Sequence, residues 1–158
     1  MARLIFRRGG GIWPNMDAHA IVDTGYLVAL LNRADRHHAW AAKLLGDLRG
    51  PWLTAEACIS EAVFLLEQAG KPAVTNLFEW LERKLLLSRH CLPEELDAVR
   101  NEIFRYKARW VDFADACLVV LSDRHPELPL ATVDHNDFAV YLRGRGRRKL
   151  LTPRSHGG

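Results

Sequence analysis

Short apolar runs alternate with stretches of helical period along this chain. That alternation restricts it to folds in which helices wrap a mostly parallel sheet. His19-Ala20-Ile21-Val22 is apolar and ends in Asp23, the pattern of a strand covered on both faces. Thr24 to Asn32 then reads as a helix. A second helix spans 37–49, where Trp40, Ala41, Leu44, Leu45 and Leu48 share a face until Gly50-Pro51 stops it. Trp52-Leu53-Thr54 reads as a strand and 55–69 as a helix ended by Gly70. Pro72 opens the next helix, which runs to about Leu86. The pattern further predicts a strand over Ser88–Leu92 and helices over 93–107 and 112–124. It ends with a strand at Leu130–Val133, a turn at Asp134–Asp137 and an edge strand at Lys149–Leu151.

The expected fold class is therefore α/β, with βαβ units and ligands bound outside the carboxyl ends of the strands. One domain of ordinary size, 17–153, accounts for most of the 158 residues. Residues 1–16 hold Gly9-Gly10-Gly11 and Pro14 and no sustained period. They read as a disordered extension, with Met16 as the natural start, and 154–158 read as a tail. The longest apolar runs, such as Tyr26–Leu31 and Ala116–Leu121, fall far short of the ~18 residues a membrane span needs. Arg7-Arg8 has no apolar stretch behind it, so no export signal is read and a cytoplasmic protein is expected. Cys58, Cys91 and Cys117 are too few and too scattered for a disulfide framework or a zinc site.

Charge is unevenly spread. All 19 acidic residues lie between Asp17 and Leu142, among 13 Lys and Arg, whereas the first 16 and last 16 residues carry basic charge alone. An acidic body with basic ends suits a metal site working on a polyanion. Basic tails on a soluble domain account for it as readily.

Four acids stand at places where such a fold gathers ligands. Asp23 and Asp134 each follow an apolar strand, Glu61 lies in a helix after a strand, and Asp115 lies in Asp112-Phe113-Ala114-Asp115-Ala116 at a helix start. Taken singly, each has a plain alternative. Asp23 and Thr24 serve as turn and cap residues, Glu61 as a solvated helix residue, and Asp112 and Asp115 as a capping pair. Asp134 serves equally well as a cap, with Asp137 three residues on. Capping explains Asp112 well and Asp115 less well, because Ala114 and Ala116 make its surroundings tight. Jointly the acids mean more. Carboxylates brought together repel and raise one another's pKa unless cations neutralise them, and oxygen-only ligands select hard ions, Mg²⁺ or Mn²⁺. Such ions activate water, shield a phosphate and stabilise a leaving oxygen, the three needs of phosphodiester hydrolysis.

At these residues the sequence resembles the PIN-domain family, in particular the VapC-type toxins of toxin–antitoxin pairs. The motifs are Ile21-Val22-Asp23-Thr24, then Leu53-Thr54 with Ser60-Glu61, then Asp112 to Ala116, then Ala131-Thr132-Val133-Asp134 with Phe138. Together they cover about Ala18 to Pro153. The resemblance implies a three-layer α/β/α sandwich and a Mg²⁺- or Mn²⁺-dependent endoribonuclease acting on tRNA or other structured RNA. It also implies a homodimer and a cognate VapB-like antitoxin. By position it makes Asp23, Glu61, Asp115 and Asp134 the catalytic metal ligands, with Thr24, Asp112, Thr132 and Asp137 in support. The N-terminal extension and the Gly/Arg-rich stretch after Leu142 are less typical of the family.

Arg143, Arg145, Arg147 and Arg148 are candidates to grip RNA phosphates, and a solvated loop is the equal alternative. His37-His38 reads as solvent-facing and His135 as a turn residue beside Asp134. The helices at 37–49 and 55–87, rich in Leu, Phe and Trp, offer grooves for an antitoxin helix. Two rival functions remain. A catalytically idle PIN-like module that binds RNA or protein is opposed by the intact acids. A phosphatase with Asp23 as nucleophile is opposed by Gly25, which stands where those chemistries want a second Asp.

Overall fold

The computed structural model describes residues 17–92, 94–146 and 148–153. The extension over 1–16 with Met16, Arg147, and the tail lie outside them. The elements run β1 (Ala20–Val22), α1 (Thr24–Leu31), α2 (His38–Asp47), β2 (Trp52–Ala55), α3 (Glu56–Leu66), α4 (Lys71–Glu82), β3 (Leu86–Arg89), α5 (Leu96–Ile103), α6 (Phe113–Arg124), β4 (Leu130–Ala131), α7 (His135–Tyr141) and β5 (Leu150–Leu151). The strands form one sheet in the order β3-β2-β1-β4-β5, and all its pairings are parallel. Among the described residues no helix is long and apolar enough to cross a membrane.

Side chains on successive strand residues leave the sheet on opposite faces, and both faces are apolar. Ile21, Leu53 and Leu130 pack with α5, α6 and α7 in one core. Ala20, Val22, Trp52, Leu86 and Ala131 pack with α1, α2 and α4 in the other. The three-layer α/β/α sandwich expected from the sequence is thus the observed architecture. Helix α3 joins the layers: Cys58 enters the first core, and Ala62 and Leu66 enter the second. The three cysteines are free and buried.

Three elements differ from the sequence pattern. The third strand lies at Leu86–Arg89 rather than 88–92, because Leu86 pairs with Trp52 and fills the second core. The helix after Pro93 is only Leu96–Ile103. Buried Glu95 precedes it, bound at both carboxylate oxygens by Arg124 (2.7 and 2.6 Å). The turn expected at Asp134–Asp137 instead opens helix α7. Asp134 caps it by accepting the Asp137 N–H at 2.9 Å, and Phe138 and Tyr141 anchor it in the core.

Two glycines are required by geometry. Gly70 (φ +93°) ends the 3₁₀ turn after α3 in a conformation open to glycine, and Pro72 lies in the first turn of α4. Gly25 lies in the first turn of α1, where a Cβ would collide with Cγ2 of Val133. The Asp23-Thr24-Gly25 turn and the strand end carrying Asp134 therefore meet without room for a methyl group. Gly25→Ala is expected to lower unfolding free energy by about 1–3 kcal/mol through overpacking. Urea titration of the variant checks this, and an unchanged midpoint would show that Val133 moves aside freely.

Candidate active site

The site lies where the order of the sheet changes direction. β1 has β2 on one side and β4 on the other, and the crevice at their carboxyl ends is where open α/β sheets bind ligands. The register of β1 with β4 aligns Val22 with Ala131, which brings the residues that follow each strand together. Asp23 and Thr132 are those residues. Asp23 N–H donates to Ala131 O at 3.1 Å, and the Thr132 hydroxyl donates to Asp23 Oδ2 in a short hydrogen bond. The same hydroxyl accepts the Asp134 N–H at 2.9 Å. Thr132, fully buried, therefore ties the two strand-end acids together.

Asp23, not Thr24, caps α1: its Oδ1 accepts the Tyr26 N–H at 2.6 Å. Thr24 stands one residue inside the helix and sends its hydroxyl across to Glu61 Oε2 at 2.7 Å. That bond orients an otherwise exposed Glu61 toward the crevice from α3, which begins directly after β2. Asp112 caps α6 by accepting the Ala114 N–H at 2.9 Å, and Asp115 follows in the first turn.

The four acids are close enough to act on one another. Burial pushes the Asp23 carboxyl up to about 7. Hydrogen bonds from Thr132 and Tyr26 oppose the rise, and the charges of Asp134 and Glu61 add to it. Asp115 is also pushed up to about 7, first by burial and then by Asp23, Asp112, Glu61 and Asp134. Acids that follow β1 and β4 and acids in α3 and α6 are thus near enough for their charges to bear on Asp23 and Asp115. Asp112 belongs to the group electrostatically while its side chain caps a helix.

The donor set fits a hard divalent cation. It is made of carboxylate oxygens, and burial together with neighbouring acids makes Asp23 and Asp115 costly to ionise, a cost that a cation would relieve. Among the described residues, no three His, Cys, Asp or Glu side chains are gathered into a ready-made metal cluster. Asp23, Glu61 and Asp134 each have a carboxylate oxygen engaged by a protein donor.

Asp137 accepts from Arg109 Nη2 at 2.6 Å, and that guanidinium also lies 5.4 Å from the Tyr141 ring centroid. Arg109 was not legible as part of this region. It falls in a stretch without helical period, and only the fold places it against α7. Two residues of the Arg-rich segment make ion pairs within the molecule. Arg145 is ion-paired with Glu102 and Asp123, and Arg148 is paired with Asp123 at 3.2 Å. Both side chains are largely buried, because Glu102 is itself buried and needs a counter-charge. Arg143 is exposed, and Arg147 lies outside the described residues. His38 is also turned inward, with Nδ1 2.9 Å from Ala29 O.

The family model for the PIN domain matches residues 20–141. A solved structure, VapC20 of Mycobacterium tuberculosis, described as a sarcin–ricin loop cleaving toxin, has a similar fold. Its TM-score is 0.65 at 21% identity, over 77% of this chain and 94% of that one. No curated protein sequence matches the chain. The matched span contains all four acids and runs from the first residue of β1 to the last of α7, so the chain belongs to the PIN-domain family.

Proposed function

We propose that the chain is a divalent-metal-dependent endoribonuclease, the toxin of a VapBC-type pair. In this reading Asp23, Glu61, Asp115 and Asp134 are its Mg²⁺ or Mn²⁺ ligands. The observation that carries this reading is the hydrogen-bonded set at the carboxyl end of the sheet, in which Thr132 binds Asp23 and Thr24 binds Glu61, with Asp115 and Asp134 near enough for their charges to be felt. A protein keeps uncompensated buried charge where a cation or a reaction uses it. The fold shared with VapC20 supports RNA as the substrate, with tRNA or another structured RNA as the target class.

The chain's own residues prepare the site. Thr132 and the Tyr26 amide hold Asp23, Thr24 holds Glu61, and the α7 backbone holds Asp134, so each carboxylate keeps one direction. Asp112 adds negative charge beside Asp115, and Arg109 fixes Asp137 on the outer side. A bound divalent ion supplies charge shielding at the phosphate, a more acidic water and a stabilised leaving oxygen. Water attacks phosphorus, a P–O bond of the RNA breaks, and no covalent link to the protein is needed. The homodimer and the cytoplasmic working place implied by the resemblance are parts of the same proposal.

An apolar groove between α3 and α4 supports an antitoxin partner. Val63, Phe64 and Val74 line it, and Phe64 is 72% exposed. An amphipathic helix of the partner would bury that ring.

Purified chain with Mg²⁺ or Mn²⁺ is expected to cleave total tRNA or ribosomal RNA, and Asp115→Asn to lose about 100-fold or more of that rate. Cleavage retained in Asp115→Asn would sink the site assignment. RNA binding without metal-dependent cleavage by the unaltered chain would point to an idle binding module.

Stability should report the same carboxylates. Because Asp23 and Asp115 have folded-state pKa values raised to about 7 from 3.8, the folded chain binds their protons more tightly than the unfolded chain. Their contribution is fully present below 3.8 and is lost as pH rises through about 7. Mg²⁺ is thus expected to raise the melting temperature near pH 8, where both acids are ionised, and to do little near pH 5. Asp115→Asn should blunt the rise. Equal rises at both pH values, read by calorimetry, would remove these acids from the metal site.

Phe64→Lys is expected to weaken binding of a VapB-like antitoxin by about tenfold or more, with RNA cleavage unchanged. Titration calorimetry decides it, and equal affinity would move the partner off this groove.

A further inference from the structure

A pocket of about 440 Å³ opens beside the acidic site, at the carboxyl ends of β4 and β5. This is within the ~300–1,000 Å³ range of sites that hold small organic ligands. Asp134 is part of its wall, so the pocket and the carboxylate group share a side chain. His135 and Asn136 enter from the same turn. Arg36 and His37 enter from the loop between α1 and α2. Val133 and Pro153 give it apolar surface.

Its chemistry is unlike that of the site next to it. Carboxylates dominate there, whereas here one carboxylate faces a guanidinium, two imidazoles and an amide. The loop bearing Arg36 is stapled in place. Asn32 Oδ1 accepts the Ala34 N–H at 3.0 Å, and Asp35 Oδ1 accepts the His37 N–H at 2.7 Å. Arg36 Nε donates to His37 Nε2 at 2.9 Å. Among the described residues no acid pairs with the guanidinium, and its two Nη groups keep the forked geometry that matches a phosphate. His135 lines the pocket, and its Nδ1 is buried with no hydrogen-bond partner among the described residues.

We infer that this pocket is the subsite for the nucleotide flanking the scissile bond, with Arg36 gripping that nucleotide's backbone phosphate. The inference deepens the nuclease reading and rests on it. A strand lying here reaches the carboxylates directly across Asp134. The volume accommodates a sugar and a base as well as the phosphate, and Val133 and Pro153 cover their apolar faces. Arg36 thereby selects for a polynucleotide on one side of the cut, and the four acids themselves make no such selection.

The test uses the full chain carrying Asp115→Asn, with no divalent metal added, so that turnover of the bound RNA is suppressed. The probe is a fluorescein-labelled single-stranded RNA of about 12 nucleotides, read by anisotropy across a salt series. Adding Arg36→Gln is expected to weaken binding about tenfold and to reduce the slope of log K against log salt by about 0.7, one phosphate contact on a single strand. Arg33→Gln, on the same loop but outside the pocket, serves as the control and should leave both unchanged. In the chain with Asp115 intact, Arg36→Gln should raise KM with little change in kcat. Affinity and slope equal to the control would overturn the subsite. If the unaltered chain still cleaves RNA in that case, the nuclease reading stands alone. If it neither cleaves nor binds RNA, both fall.

Discussion

The structure turns on a carboxylate placed where the fold resists it. Asp23 is 5% exposed at the end of a central strand, between two cores, and burial lifts its pKa to about 7. An ionised acid there is tolerable only because donors converge on it: the Tyr26 amide at Oδ1 and the Thr132 hydroxyl at Oδ2. Those donors come from the start of α1 and the end of β4. One side chain therefore fixes the angle of the first helix and the join between two strands. Gly25 completes the constraint, since the turn can approach Val133 only without a Cβ.

From that point the other acids follow by geometry. β1 lies between β2 and β4, and α3 springs from the end of β2, so Glu61 arrives from one side and Asp134 from the other. α6 packs under β1 and β2 and presents Asp115 from its first turn. Two threonines translate this arrangement into direction: Thr132 joins Asp23 to the Asp134 backbone, and Thr24 joins the β1 end to Glu61. Neutral hydroxyls suit the task, because they orient carboxylates without cancelling the charge that a cation needs. The arrangement opposes stability in the metal-free chain, as functional sites commonly do.

The sheet and most helices were legible because each core has its own period. Ile21, Leu53 and Leu130 answer to one face, and Ala20, Val22, Trp52 and Ala131 to the other. Helix α7 was not, because its first turn is His135-Asn136-Asp137, residues common in turns. Only the burial of Phe138 and Tyr141 and the Asp134 cap make it helical. Asp23, Asp115 and Asp134 could be picked out as strand-end and helix-start residues, whereas Glu61, exposed mid-helix and without a local signal, came from the family resemblance. Arg109 and Arg36 could not be picked out, and His37 reads from sequence as solvent-facing. They come from irregular segments, and the fold alone sets them beside Asp137 and Asp134.

Basic residues that cluster along a sequence can serve inside the fold. Arg145 and Arg148 stand in the most basic run of the described residues, yet their charge is spent inside the molecule on Asp123 and buried Glu102. Removing Arg145 would take a counter-charge from buried Glu102, and Arg145 and Arg148 together tie the C-terminal segment to α5 and α6. That segment leads into β5 and Pro153, a wall of the pocket beside Asp134. The cation among the residues lining that pocket is Arg36, on the stapled loop between α1 and α2.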